Sequence, residues 1–80
     1  MRLDKYLKVS RLIKRRTIAK EACESERVFI NDKVAKPGTE VKVGDIIEIR
    51  FGDKSVKAEI LSLSEHVKKD EAKEMFNVLD

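Results

Sequence analysis

Eight of the first twenty residues are cationic: Arg2, Lys5, Lys8, Arg11, Lys14, Arg15, Arg16 and Lys20. One acid, Asp4, stands among them. Lys and Arg at this density bind phosphate oxygens well, and Arg can do so with two parallel N–H donors. An ordinary solvated face mixes its signs; this one does not. The remaining residues, 21–80, hold ten basic and fourteen acidic side chains, so a net charge of +3 conceals a basic quarter joined to an acidic remainder. Such asymmetry points to an anionic partner for the basic quarter, nucleic acid ahead of a membrane surface. All eight cations are candidate contacts. Asp4 is a ninth: it can orient a neighbouring Arg, accept a hydrogen bond from a base or a 2′-OH, or complement a helix dipole.

Catalytic chemistry has little to stand on. The only His, His66, lies among Ser64, Glu65, Lys68 and Lys69 and reads as a surface residue. The only Cys, Cys23, sits on an amphipathic stretch and reads as structural. One Cys with one His builds neither a disulfide nor a protein-only zinc site. Gly38, Gly44 and Gly52 form neither a phosphate loop nor a dinucleotide fingerprint. No enzyme activity, cofactor or metal is expected. No apolar run approaches the ~20 residues of a membrane span, and no apolar stretch follows Met1 as a secretory signal would require. A cytoplasmic protein without a membrane partner is expected.

The elements that must position these cations are legible from periodicity. At 80 residues the chain closes one core, so a single domain over 1–80 is expected. Leu3, Tyr6 and Leu7 have helical spacing and predict a helix over 2–9. Residues 10–14 bend the chain. A second helix is predicted over about 15–25, with Ile18, Ala19, Ala22 and Cys23 as its buried stripe. From Arg27 the period changes to two. Val28–Ile30 and Val34–Ala35 flank an Asn31-Asp32 turn, Ile46–Phe51 is the strongest strand, and Val56, Ala58 and Ile60 mark its return. Ala72, Met75, Phe76 and Leu79 predict a last helix over 70–79. Two helices before a small antiparallel sheet make an α+β fold. Tyr6 falls on the core side and Phe29, Phe51 and Phe76 are scattered, so base stacking on the sheet is not expected; the expected mode is recognition of RNA shape and backbone.

Four stretches carry a family resemblance. They are Arg2-Leu3-Asp4-Lys5-Tyr6-Leu7, then Lys14-Arg15-Arg16-Thr17-Ile18-Ala19, then Val28-Phe29-Ile30-Asn31 with Val34, then Val43-Gly44-Asp45. In this order they are similar to the S-four RNA-binding domain, which also occurs in pseudouridine synthases and tyrosyl-tRNA synthetase. The resemblance covers roughly residues 1–61 and implies two helices packed on a small twisted sheet, with residues 62–80 as a C-terminal extension. Two departures concern glycines: Glu26 and Asp32 stand where the family usually has Gly. Asp32 adopts the left-handed conformation readily and Glu26 less so, which predicts an altered joint between the second helix and the first strand. Arg15 stands where many members have a Ser that caps the second helix.

The run from Leu7 to Thr17, with the Lys/Glu-rich stretch from Lys68 to Met75, most resembles stand-alone members of the family that act in bacterial ribosome quality control. The resemblance implies a monomer that binds large ribosomal subunits still obstructed by peptidyl-tRNA, between large-subunit rRNA and the tRNA. It also implies support for C-terminal alanine tailing by RqcH, of the NEMF family. Alternatives are a relative of the heat-shock protein of fifteen kilodaltons, an RNA chaperone without a tailing role, or a protein–protein adaptor working through its acidic sheet side.

Overall fold

The structure is a computed structural model and describes residues 1–79. Two helices lead the chain, α1 (Leu3–Val9) and α2 (Arg16–Glu24). Four strands follow: β1 (Val28–Ile30), β2 (Lys33–Val34), β3 (Ile46–Phe51) and β4 (Lys54–Ile60). A 3₁₀ helix (Lys69–Met75) and β5 (Phe76–Leu79) come last. Every strand pair is antiparallel, in the spatial order β2-β1-β3-β4-β5. This is the expected α+β architecture.

Helix α1 turns Leu3, Tyr6 and Leu7 into the core, where all three are fully buried. Its first N–H groups have no partner within the helix, and the loop after β2 supplies them. Leu3 N–H donates to the Thr39 carbonyl at 2.8 Å and Asp4 N–H to the Pro37 carbonyl at 3.1 Å. Lys5 N–H donates to Asp4 Oδ1 at 2.8 Å. The chain start is thereby fastened to the sheet end of the molecule. The bend after α1 leaves Arg11 at φ +64°, one residue past the C-cap Ser10.

Helix α2 buries a narrower stripe than its sequence predicts. Ala19 and Cys23, four apart, are buried, and Ala22 is half-buried. Ile18 is 47% exposed, a departure from the expected stripe. It sits about 100° around the helix from Ala19. There it lines an open groove of about 410 Å³ with Leu12, Ala22 and Phe51.

The sheet follows the period-two pattern. Val28 opposes Ile49, Ile30 opposes Ile47, and Ile47 opposes Ala58; these face the helices. Phe29, Glu48 and Lys57 form a row on the outer face. Asn31 and Asp32 take φ +50° and +70°, the two left-handed residues of a tight hairpin turn. The Asn31 amide then fastens that turn to the next one, donating to Asp45 Oδ1 at 3.1 Å and accepting from Ile46 N–H at 2.9 Å.

Two expectations are corrected. Glu26 takes φ +59°, so the helix-to-strand joint adopts the left-handed conformation that a glycine would favour, at a steric cost to Glu. The predicted helix over 70–79 is a 3₁₀ helix that ends at Met75 and becomes a strand. Ala72 and Met75 are buried, as their three-residue spacing on a 3₁₀ turn allows. Phe76–Leu79 instead pairs with the open edge of β4, Ile60 opposite Phe76 and Lys57 opposite Leu79. Ladder hydrogen bonds to an exposed edge override a weak local helical preference. The Tyr6 hydroxyl donates to the Met75 carbonyl at 2.7 Å, and Leu61 N–H reaches the same oxygen at 2.8 Å. Residues beyond 61 are therefore stitched to α1 and to the sheet.

Candidate nucleic-acid interface

Asp4 is the centre of the site. It is 3% exposed, although its neighbours in sequence are cations. Arg2 Nε donates to Oδ1 and Arg2 Nη2 to Oδ2, both at 3.2 Å, a two-pronged pair. Arg16 Nη2 lies 3.6 Å from Oδ1. That is ion-pair rather than hydrogen-bond distance. A buried carboxylate left unpaired would be strongly destabilising, so these arginines hold Asp4 as much as it holds them. Both arginine side chains remain about half exposed. Arg2 comes from the N-cap of α1 and Arg16 from the first turn of α2, so residues fourteen apart in sequence meet at one oxygen.

Among the described residues, no side chain caps α2. Arg15 is its N-cap, in extended conformation, and the exchange of a capping Ser for a cation leaves the first N–H groups of the helix open. Arg16 stands in that first turn, and Lys20 is one turn further along the same face. Lys14, Arg15 and Lys20 are exposed.

The other half of the surface lies along α1. Lys5 Nζ pairs with Glu65 Oε1 at 2.7 Å, and this contact holds the Glu65 carboxyl below its usual range. Lys8 and Arg11 are exposed and line a small cleft of about 190 Å³ with Glu65 and His66. The candidates thus gather in two groups, Arg16 and Arg2 at Asp4, and Lys5, Lys8 and Arg11 around Glu65. Glu65 carried no local signal in the sequence, because its partner is sixty residues away. Gly38 is a second feature that only the fold shows; a Cβ at this position would stand 3.9 Å from Arg2 Nη2, in ordinary contact with the guanidinium.

Cys23 is buried at the base of α2, and burial with the Asp4 and Glu24 carboxylates pushes its thiol up to about 11. A thiol so disfavoured as thiolate is a poor nucleophile at neutral pH. Among the described residues, no group of three His, Cys, Asp or Glu could hold a metal ion, and no helix is long and apolar enough to cross a membrane.

Two helices laid on a small antiparallel sheet, with cations gathered on the helices, define an S4-type domain. The S4 domain family matches residues 1–47. The chain is 61% identical over 79 residues to the RQC P-site tRNA stabilizing factor of Listeria innocua, covering 99% of this chain and 86% of the relative. It is 59% identical over 78 residues to the factor of the same name from Halalkalibacterium halodurans, covering 98% and 89%. Among solved structures, the trimeric heat shock protein 15 of Vibrio cholerae superposes with a TM-score of 0.89 at 30% identity, over 99% of this chain and 81% of that one. The chain belongs to the S4 domain family and, within it, to the family of the RQC P-site tRNA stabilizing factors.

Proposed function

We propose that this protein binds RNA through the outward face of α1, α2 and the bend between them, and that its RNA is that of an obstructed large ribosomal subunit. Arg2, Lys5, Lys8, Arg11, Lys14, Arg15, Arg16 and Lys20 supply the phosphate contacts. The observation that carries the reading is the meeting of Arg2 and Arg16 at buried Asp4: two half-exposed guanidiniums from separate helices, held side by side with donors to spare. Kinship with factors named for a P-site tRNA in ribosome quality control supports the particular substrate, a large subunit that still carries peptidyl-tRNA. On this reading the protein lies between large-subunit rRNA and the tRNA, acts as a monomer in the cytoplasm, and supports alanine tailing by RqcH. It is a binding protein rather than an enzyme.

Co-sedimentation tests it. The protein pellets with large subunits carrying peptidyl-tRNA in preference to intact ribosomes. Some five simultaneous Lys or Arg contacts give a log–log salt slope of roughly −4, at about 0.7–0.9 per contact. A slope near zero would sink the electrostatic reading and support an apolar adaptor surface instead.

A further inference from the structure

We propose that Asp4 is a positioning residue, which strengthens RNA binding by fixing the Arg2 and Arg16 guanidiniums as a preformed double fork for a backbone phosphate. The inference rests on the reading that these helices form the RNA surface, and it makes a prediction opposite to that of net charge. A negative group inside a phosphate-binding surface should by Coulomb's law weaken binding. Asp4 escapes that penalty by its placement. It is 3% exposed, so an incoming phosphate meets the guanidiniums rather than the carboxylate.

Three of its about four acceptor sites are committed. Oδ1 accepts from Lys5 N–H and Arg2 Nε, and Oδ2 accepts from Arg2 Nη2. A guanidinium carries five N–H donors. Arg2 spends two of its five on Asp4, and Arg16 approaches at 3.6 Å without spending one in a hydrogen bond. The shared carboxylate does two jobs: it offsets the repulsion between two neighbouring cations, and it orders two long side chains before RNA arrives. Ordering side chains in advance removes much of the entropy cost of binding. A dipole role alone does not account for this arrangement: Thr39 and Pro37 carbonyls already take the Leu3 and Asp4 N–H groups, while the carboxylate reaches across to α2.

The test uses the full chain, purified large ribosomal subunits and a salt series. Asp4→Asn keeps an oxygen for Lys5 N–H but turns an amide toward the Arg2 fork. It is expected to weaken binding roughly five- to thirtyfold, although it adds a unit of positive charge. Its salt slope should become shallower by about one contact. In an Arg2→Ala/Arg16→Ala background the same change should cost nothing further, because the groups it positions are gone. Asp53→Asn, the same charge change in the β3–β4 turn, should leave binding unchanged or slightly tighter. Arg2→Lys covers the case in which Asp4→Asn does not fold: it keeps the charge but loses the fork, and should weaken binding at least about threefold. If Asp4→Asn binds as tightly as the parent while Arg16→Ala weakens, Asp4 positions nothing and the RNA surface stands. Unchanged binding by Arg2→Lys also overturns the proposal. If Arg16→Ala itself binds normally, the surface reading fails and this inference goes with it.

Discussion

The helix pair and the sheet treat their cations differently. On the outer face of the sheet, Arg50 Nε pairs with Glu48 at 3.2 Å and its guanidinium lies 4.0 Å over the Phe29 ring. Lys57 stands opposite Glu48 in register. Arg50 is thus compensated within the sheet. On the helices and the bend between them, Lys8, Arg11, Lys14, Arg15 and Lys20 have no salt-bridge partner among the described residues, and Arg2 and Arg16 share one carboxylate. Uncompensated cations crowded onto one surface oppose folding by self-repulsion. They make physical sense where an external anion completes them. The backbone repeats the contrast. Arg11 and Glu26 both occupy left-handed conformations that suit Gly. One lies within the cationic surface and the other at the joint leading into the sheet.

The largest expected effect separates the two regions directly. Arg16→Ala should weaken binding to large subunits about ten- to a hundredfold, which corresponds to about 1.5–3 kcal/mol for a charged hydrogen bond. It should not unfold the protein, since it also relieves repulsion from Lys14, Arg15 and Lys20. Lys57→Ala removes the same charge from the sheet and should bind normally. Circular dichroism checks both folds; equal binding by the two folded variants would show that the helices do not form the RNA surface.

Alkaline pH should weaken the fold. Burial raises Cys23 from 9.0 to about 11, so the folded state holds that proton more tightly than the unfolded one. Its contribution is complete below about pH 9 and is lost as pH rises from about 9 to 11, up to about 3 kcal/mol. Burial also raises Tyr6 above its ordinary 10.0, which steepens the decline beyond that pH. Urea unfolding at pH 8 and pH 10.5 measures the loss, and Cys23→Ser should flatten it.

The paired glycine substitutions are subtler. Arg11→Gly and Glu26→Gly each relieve a left-handed side chain and should stabilise the fold by up to about 1 kcal/mol, net of the extra freedom of the unfolded chain. Only Arg11→Gly should also weaken RNA binding. Opposite signs for stability and binding at residue 11, with no binding change at residue 26, would show that the strain at Arg11 is retained for its side chain. Thermal melts and co-sedimentation read both. The smallest effect is expected for His66→Ala, which borders the Lys8 and Arg11 cleft and should leave large-subunit binding intact. Loss of binding by a folded His66→Ala protein would extend the surface onto the segment between β4 and the 3₁₀ helix.

Much of this protein was determined by local sequence. The apolar spacing of Leu3, Tyr6 and Leu7 makes α1, the alternation through Val28–Ile30 and Ile46–Ile60 makes the sheet, and Asn31-Asp32 makes its turn. The crowding of eight cations into twenty residues already marks the candidate anion-binding surface, because charge density needs no fold to be counted. Tertiary structure decided the rest. Residues 76–79 are a strand because β4 offers an open edge, which no local pattern can announce. Ile18 is exposed because α2 packs through Ala19 and Cys23, and the width of a buried stripe depends on what the helix packs against. Lys5 meets Glu65 across sixty residues. Asp4, one acid among cations in the sequence, becomes a shared anchor for two arginines only when α1 and α2 come together, since burial and a second helix are what give its carboxylate both partners.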